Sequence, residues 1–176
     1  MNDKYEFTGV SIDFWGKKLY QIKAKKSFWN VNKWDLGGYI EKEKNLSVSD
    51  NSWVFGNARV FGNARVSDNA WVYGDARVYD NATVSGDAIV SENASIYDGA
   101  WVFGNARVYD NARVYDNARA FVDACVYGDV RIYNDAWVYS NADARLNDNA
   151  WLKEEKQSIT LELTPEHIEK VRELLK

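Results

Sequence analysis

Hydrophobic and polar positions repeat every six residues from position 48 to position 143, giving sixteen hexads without a gap. Each hexad opens on a small or aliphatic residue and nearly always carries alanine at its fifth position. In residues 112–115 (ARVY), small, polar, apolar and aromatic side chains alternate, as in a strand with one buried face. The next two residues, Asp116 and Asn117, tolerate left-handed backbone and favour turns. Each hexad therefore predicts one short strand and one corner, with the alanine and the aliphatic side chain facing inward.

Three strands and three corners close a triangular coil of three hexads, so the repeat predicts an all-β fold, a parallel β-helix. Coils stack at a strand spacing of about 4.8 Å, so about five to six coils form a prism roughly 25 Å long. An amphipathic helix does not fit, because a period of six matches no 3.6-residue pattern and the corner residues would break a helix. Two residues, Ala144 and Arg145, interrupt the register before one last unit, 146–151, closes on Leu152.

The segments on either side of the hexads predict capped ends, which a solenoid needs to protect its open coils. Residues 5–7 and 19–22 alternate as short strands, so the N-terminal segment predicts a β-rich cap. After the hexads, residues 158–163 alternate as a strand, and Thr164 and Pro165 begin an α-helix with one apolar face. The predicted parts are an N-terminal cap at 1–45, the β-helix at 46–152, and a C-terminal strand and helix at 153–176.

The junction between the N-terminal cap and the hexads carries two short motifs, LGGYIE at residues 36–41 and NLS at residues 45–47. The hexads resemble those of the left-handed β-helix in hexapeptide-repeat proteins, a family that includes many acyltransferases. The arrangement of these two motifs followed by hexads is similar to that in β-helix proteins of bacteria and phages, which are often labelled transferases or polymer-forming proteins. The resemblance covers roughly residues 5–152. It implies a left-handed coil and brings no settled activity, and the C-terminal segment departs from the family pattern.

Charge is divided unevenly along the chain, although the net charge of its 176 residues is only −4. Residues 1–45 carry nine lysines and six acidic residues, whereas residues 46–152 carry eight arginines, no lysine and fourteen acidic residues. An acidic body lacks the basic surface typical of nucleic-acid-binding proteins, so we expect no nucleic-acid partner. The net −6 of the body leaves an acidic DNA mimic as an alternative, which the interleaved arginines weaken.

No segment of the sequence predicts export or membrane insertion. The first ten residues contain no basic stretch followed by an apolar run, and no run of about 18 apolar residues occurs. With one cysteine, Cys125, the chain cannot form an internal disulfide. The expected location is the cytoplasm of a bacterial host cell, with no membrane partner.

Candidate catalytic chemistry is sparse. Hexapeptide acyltransferases, which the hexads resemble, use a histidine as general base, and the one histidine here, His167, lies outside the repeat. Without a partner nucleophile or an orienting acid it is a weak candidate, and one histidine excludes a three-histidine zinc site. Cys125 occupies an outward position, where a tolerated surface substitution is a simpler interpretation than a reactive thiol. The corner aspartates are explained better as turn formers than as calcium ligands. We therefore predict no metal and no cofactor. Should the protein be an enzyme, a trimeric acyl-CoA-dependent transferase is the expected class.

The outward-facing positions carry the most distinctive pattern, because equivalent positions of every third hexad stack in columns on one face of the prism. One face is aromatic and arginine-rich along its whole length. A second face is broken at Ile89 and Ser91, and the third turns aromatic only at Trp101 and Phe103. The predicted binding residues are an aromatic ladder, namely Phe61, Tyr79, Tyr97, Tyr115 and Tyr133, and an arginine column, namely Arg59, Arg77, Arg113 and Arg131, with Ser95 at its middle position.

Two interpretations of this face are open. In one, the stacked rings and the pairing of arginines with corner aspartates only stabilise the prism. In the other, the face is an interface, since tyrosine, tryptophan and arginine are enriched at binding hot spots. The favoured prediction is a non-catalytic scaffold or macromolecule-binding β-helix of phage or mobile-element origin. It would bind a protein partner or associate with itself as a dimer or trimer. A specific form of this prediction is an inhibitor of a host defence enzyme.

Overall fold

The computed structural model describes residues 2–139, 143–146 and 151–152, the last two ranges as backbone strands. The fold is an all-β parallel solenoid whose three sheets enclose one continuous core. Besides strands, the described residues contain one 3₁₀ turn, Glu43–Asn45. The strands are β1 Tyr5–Phe14, β2 Lys17–Ala24, β3 Leu36–Ile40, β4 Trp53–Val54, β5 Arg59–Val60, β6 Arg65–Val66, β7 Trp71–Val72, β8 Arg77–Val78, β9 Thr83–Val84, β10 Ile89–Val90, β11 Ser95–Ile96, β12 Trp101–Val102, β13 Arg107–Val108, β14 Arg113–Val114, β15 Arg119–Phe121, β16 Cys125–Gly128, β17 Arg131–Ile132, β18 Trp137–Tyr139, β19 Asp143–Leu146 and β20 Trp151–Leu152.

Strands of successive coils pair in parallel, and from β4 to β19 each strand residue lies opposite its equivalent three hexads along the chain, as the hexad pattern predicts. The first predicted hexad is an exception, because Val48 is 39% exposed and Leu46 pairs with Val66 in its place. One of the three sheets stacks six strands within the described residues, which means about six coils, so the predicted parallel β-helix is confirmed. The left-handed sense of the coil stays a prediction. Sheet 1 has the order β1-β2-β3-β5-β8-β11-β14-β17-β20, sheet 2 the order β19-β16-β13-β10-β7-β4, and sheet 3 the order β18-β15-β12-β9-β6.

The core is a stack of alanine and valine or isoleucine layers. Ala112 and Val114 are completely buried, as the alternation in their hexad predicts. Between them, the backbone of Arg113 donates a hydrogen bond to the carbonyl oxygen of Val130 on the next coil, at 2.8 Å. Burying one valine side chain contributes roughly 1.5–3 kcal/mol, so repetition of this layer supplies much of the stability of the solenoid.

The corners use left-handed backbone at the first of their two residues. Asp80, Asp98 and Asp116 have φ angles of 57°, 55° and 58°, which aspartate tolerates better than most residues. The second corner residues bond along the stack, as where the Asn105 amide donates to the Asp123 carboxylate at 2.9 Å. These contacts support turn chemistry as the reason for the recurring aspartates.

The N-terminal strands extend sheet 1 beyond the first coil. Strands β1 and β2 form an antiparallel hairpin, β2 pairs with β3, and β3 pairs in parallel with β5. A buried lysine fixes this hairpin to the first coil. Lys4 Nζ lies 2.8 Å from the carbonyl oxygen of Ser47 and 3.2 Å from the carboxylate of Asp50.

The predicted placement of the two-residue interruption at Ala144 and Arg145 is wrong. Both residues keep the three-hexad register within β19, where Ala144 pairs with Val126 of β16. In the last coil, by contrast, Trp151 of β20 pairs with Arg131 of β17, which is two positions beyond that register. The two extra residues therefore lie between β19 and β20. The predicted C-terminal strand and helix at 153–176 lie outside the described residues.

Candidate functional site: the aromatic ladder of sheet 1

The aromatic ladder lies on the outer face of sheet 1, with one ring on each coil. Its inner rings are stacked almost in parallel. Tyr79 and Tyr97 are 4.9 Å apart at an angle of 5°, and Tyr97 and Tyr115 are 4.9 Å apart at 0°. At the two ends, Phe61 lies 5.1 Å from Tyr79 and Tyr133 lies 5.5 Å from Tyr115. The structure therefore brings all five predicted ladder residues together.

The arginine column runs beside the ladder on the same sheet. Each arginine opens a strand of sheet 1 and lies two positions before the ladder residue of the same coil. Arg113 is exposed, whereas Arg59 and Arg77 are half-buried. Ser95 interrupts the column and is only 7% exposed. Arg59 Nη1 lies 3.9 Å from the carboxylate of Asp75, so at the first coil an arginine does pair with a corner aspartate. A pair this exposed contributes little stability.

The tip of the β1–β2 hairpin, residues 14–16, lies across the first rings of the ladder. Phe14 packs against Phe61 at 5.8 Å, and Trp15 packs against Phe61 at 5.9 Å and Tyr79 at 5.4 Å, all at steep angles. Phe61 is consequently only 3% exposed. Sequence reasoning missed this cover. The signal that could have found it is the aromatic pair directly before a glycine at the hairpin turn.

Parallel stacking determines what the ladder can bind. Because each ring lies on the next, the ring faces of Tyr97 are occupied by Tyr79 and Tyr115, and the ring edges are left for contact from outside. Nucleobases stack on open ring faces. The faces of Tyr79, Tyr97 and Tyr115 are taken by stacking and offer no such platform, which adds a geometric reason to the expectation from charge that nucleic acid is not the partner.

Burial raises the pKa of three ladder tyrosines. Burial, followed by the neighbouring Tyr97 hydroxyl, raises the pKa of Tyr79 to about 12. Burial is also the main cause that raises the pKa of Tyr97 and of Tyr115. The hydroxyl groups of these three tyrosines are neutral near neutral pH, where each can both donate and accept a hydrogen bond.

Sheet 3 carries a second aromatic cluster on its later coils. The Arg119 guanidinium lies between two tryptophans, 5.3 Å from the Trp101 ring and 5.1 Å from the Trp137 ring. Phe103 and Phe121 stack beside this sandwich at 5.0 Å. Trp101 and Trp137 remain 48% and 44% exposed. The sequence showed that this face turns aromatic, but we assigned no site there, so the cluster is an addition from the structure.

The repeat also matches a known sequence family. Residues 58–74, 76–92, 100–116 and 106–120 match the pattern described as the YdcK beta solenoid repeat. The chain is a β-solenoid repeat protein. No curated protein matches it. The finer resemblance to hexapeptide-repeat proteins of phages stays a prediction, and the description of the repeat names a fold without an activity.

A recess on sheet 2 of the solenoid is bordered by a residue of the N-terminal segment. Trp29 packs against Trp71 at 5.2 Å and lines an open recess of about 370 Å³ together with Asn51 and Asn69. The Asn51 amide donates to the Asn69 side-chain oxygen at 3.0 Å. Part of the hydrogen-bonding capacity of these amides is therefore used within the solenoid, and the recess is a weaker candidate than the ladder.

One serine of the solenoid has the neighbours of an activated nucleophile. Lys4 Nζ lies 3.2 Å from the Ser52 hydroxyl and 3.2 Å from the Asp50 carboxylate, and burial lowers the pKa of Lys4. A lysine in this position can activate a serine. However, Lys4 is 1% exposed and Ser52 is fully buried, so no substrate reaches this serine. The three side chains fix the N-terminus to the first coil.

The remaining reactive groups of the described residues form no recognisable centre. The half-buried Cys125 lies 3.6 Å from the Tyr109 hydroxyl, and burial followed by this thiol raises the pKa of Tyr109. In the part of the chain that the structure describes, no three His, Cys, Asp or Glu residues are grouped to hold a metal. The weak catalytic candidate, His167, lies outside that part. Across the same residues, no helix is long and apolar enough to cross a membrane.

Proposed function

We propose that the protein is a non-catalytic scaffold or binding protein that recognises another macromolecule through the aromatic ladder and arginine column of sheet 1. The observation that carries this proposal is the stack of partly exposed rings, Tyr97 and Tyr115, beside the exposed Arg113. Tyrosine and arginine are enriched at binding hot spots, and tyrosine loses little conformational entropy on binding. The backbone hydrogen bonds between coils hold these side chains on a rigid surface.

The size of the face limits the strength of such an interface. Six coils at about 4.8 Å and strands of about four residues at about 3.3 Å each give a face of roughly 400 Å². A stable interface buries about 800 Å² on each partner. The ladder face alone therefore supports a weak or transient complex in which a few aromatic anchors supply most of the affinity. It does not support an obligate dimer.

The charges around the ladder favour a protein partner. The corner residues Asp80, Asp98 and Asp116 directly follow ladder tyrosines in the sequence, whereas the arginine column precedes them. A polyanionic backbone would meet the aspartates together with the arginines. A protein surface carries charges of both signs, and such a surface can complement a mixed face.

A phage or mobile-element origin and the inhibition of a host defence enzyme are the specific form of this proposal. Their support is the similarity of the LGGYIE and NLS junction to phage β-helix proteins. Activity assays of purified defence enzymes with and without the protein test this form. We expect one enzyme to be inhibited, and we expect the double variant Tyr97→Ala/Tyr115→Ala not to inhibit it. Unchanged activity of every enzyme would remove this form and leave the binding role.

Site-specific photo-crosslinking in cells that naturally carry the protein tests the binding role. A benzophenone amino acid replaces Arg113 of sheet 1 or, as a matched control, Arg107 of sheet 2, since both are exposed at the same strand position. We expect discrete adducts from position 113 alone, and we expect their loss when Tyr97 and Tyr115 are both replaced by alanine. Equal adducts from both positions would contradict a specific role for sheet 1.

The solution mass separates this proposal from the acyltransferase alternative. Because the ladder face is small, light scattering should find a mass that follows protein concentration or stays at 20.2 kDa. A stable trimer that also releases heat on binding acetyl-CoA would contradict the non-catalytic role. In that case the subunit seams would become the candidate site.

A further inference from the structure

The hairpin tip shows how a foreign aromatic side chain docks on the ladder. The Trp15 ring stands at 84° to both Phe61 and Tyr79, with its centroid 5.9 and 5.4 Å from theirs. The Arg77 guanidinium lies 5.9 Å from the Trp15 ring. Two successive rings of the ladder and one arginine thus form a socket for an indole. Edge contacts and cation–π contacts of this kind are both favourable.

The solenoid repeats this socket two coils further on. Adding 36 to the numbers of Phe61, Tyr79 and Arg77 gives Tyr97, Tyr115 and Arg113. The strand pairing keeps one register through these coils. The ring spacing is 4.9 Å in the second socket and 5.1 Å in the first. The backbone therefore presents the same arrangement twice.

The two sockets differ in how they are covered. The ladder contacts of the hairpin tip stop at Tyr79 within the described residues, so this tip does not cover the second socket. The covered ring, Phe61, has no hydroxyl group, whereas Tyr97 and Tyr115 are half-exposed and carry one each. A buried hydroxyl needs a hydrogen-bond partner, and these two can reach water or the polar atoms of a bound chain.

One position of the arginine column differs between the two sockets. In the first socket, Arg59 lies 4.7 Å from the ring of Phe14, the second aromatic residue of the tip. The equivalent position two coils later is Ser95, which is buried and has no cation to place over a ring. The second socket therefore suits one large aromatic side chain and lacks the arginine that holds a second.

The hairpin turn explains how a polypeptide presents such a side chain. Phe14 pairs with Lys17, so Trp15 and Gly16 form a two-residue turn in which both residues have positive φ, 49° and 71°. This is the backbone of a type I′ turn, which holds the side chain of its first residue out at the tip. A bulky residue is strained there, and the contacts with the ladder offset that strain.

We infer that Tyr97, Tyr115 and Arg113 form a second docking socket for a tryptophan that a partner polypeptide presents at a hairpin tip. The inference rests on the proposed function and names the chemistry of the partner. The protein's own hairpin is an internal copy of that partner, and the interface continues down the ladder from the contact already made. The indole ring stands perpendicular to the two tyrosine rings, against their outward edges, as Trp15 stands to Phe61 and Tyr79, and the Arg113 guanidinium lies over the indole.

A labelled cyclic peptide carrying residues 11–20 (SIDFWGKKLY) is the probe for this socket. Its fluorescence anisotropy is measured against the full-length protein. We expect saturable binding that weakens about tenfold with Tyr97→Ala/Tyr115→Ala, and about as much when the peptide tryptophan becomes alanine. Arg113→Ala should weaken binding by a smaller factor. The matched control is Tyr109→Ala/Tyr127→Ala, which removes a ring pair stacked at 5.0 Å on sheet 2 and should leave binding unchanged.

Further variants distinguish binding in the second socket from unfolding of a variant and from displacement of the internal hairpin. Tyr97→Phe/Tyr115→Phe keeps both ring edges, so it should retain most of the binding even if the alanine pair unfolds. Circular dichroism checks the fold of each variant. Peptide binding that is lost with Tyr79→Ala but not with Tyr97→Ala/Tyr115→Ala would mean displacement of the internal hairpin, and would overturn the inference.

The same experiments tell failure of the tryptophan socket from failure of the proposed function. If the peptide fails to bind, but crosslinks from position 113 still depend on Tyr97 and Tyr115, the tryptophan socket is wrong and the binding role of sheet 1 stands. If neither the peptide nor the crosslinks depend on these tyrosines, both ideas are wrong.

Discussion

The ring of Trp15 lies 5.4 Å from the ring of Tyr79 at an angle of 84°, so the N-terminal hairpin reaches the second ring of the ladder. Trp15 is still 61% exposed. Its ring stacks on Phe14 at 4.7 Å and stands steeply against Phe61 and Tyr79. This packing links the hairpin to the solenoid independently of the hydrogen bonds that join β2 to β3.

Replacing Trp15 with alanine should destabilise the protein by about 1–2 kcal/mol, because two edge contacts and part of the Phe61 cover are lost. Chemical denaturation measures the change in the free energy of unfolding. Trp34→Ala is the matched control, since Trp34 also has positive φ and is 56% exposed. Its ring contacts lysines, at 4.6 Å for Lys33, and we expect its removal to cost less. An equal loss of stability in both variants would show that the contact of Trp15 with the ladder stabilises the protein no more than the lysine contacts of Trp34 do.

The hexad pattern was sufficient to predict the solenoid and the ladder. Because each coil takes three hexads, residues such as Tyr79 and Tyr97 had to occupy one column, and alternation placed Ala112 and Val114 inside. The error at Ala144 arose because spacing alone cannot show where a coil absorbs extra residues. The structure keeps Ala144 and Arg145 in the strand register, and the two-residue offset appears only at Trp151.

The cover on the ladder could not be predicted in the same way. Contact between Trp15 and Phe61 depends on the length and direction of the β1–β2 hairpin, and no periodicity in the sequence encodes either. The sandwich of Arg119 between Trp101 and Trp137 follows from the three-hexad spacing of these residues. The first coils of that face carry serine and threonine, so its aromatic pattern is not continuous, and continuity along the whole prism is what singled out the ladder face.

Alanine substitutions at two glycines in left-handed corners allow the cost of backbone strain to be measured separately from the cost of steric overlap. Gly56 and Gly104 have φ angles of 58° and 69°, so alanine is strained at both. A Cβ atom on Gly104 would lie 2.9 Å from the backbone nitrogen of Val122, whereas one on Gly56 would meet nothing closer than 3.8 Å. Thermal or chemical denaturation should find Gly104→Ala less stable than Gly56→Ala by about 2 kcal/mol. Equal losses would mean that the coils move apart easily at this corner.

Val122 is a β-branched residue in a left-handed corner, with φ of 60°. The same column has Asp68 at φ of 64°, a residue type that tolerates this backbone. Val122 is 44% exposed, so replacing it removes little buried apolar surface. Val122→Asn should therefore stabilise the protein by about 1 kcal/mol. The matched control is Val48→Asn, since Val48 is 39% exposed without positive φ. A stability gain in the control as large as at Val122 would contradict relief of strain as the cause.

The Asp50 carboxylate makes the contact between the N-terminus and the first coil sensitive to acid. Burial acts to raise its pKa, but hydrogen bonds from Ser47, from Ser52 and from the backbone of Asp68 outweigh burial and lower the pKa to about 2. The folded state thus binds this proton less tightly than the unfolded state, whose carboxyl has the ordinary value of 3.8. The stabilisation is fully present above about pH 4 and is lost as the pH falls towards 2.

The free energy of unfolding, measured by denaturant titration at several pH values, should therefore fall between pH 4 and pH 2. Asp50 is partly exposed, so screening by solvent reduces its share of this fall to about 1 kcal/mol. Ser52→Ala removes one of the hydrogen bonds that lower the pKa and should make the fall smaller. Ser49→Ala, at an exposed serine in the same segment, should leave the fall as it is. Identical acid profiles for the wild type and Ser52→Ala would show that the Ser52–Asp50 bond does not set the acid response. The role of Lys4 would then be that of a buried cation held mainly by the Ser47 carbonyl.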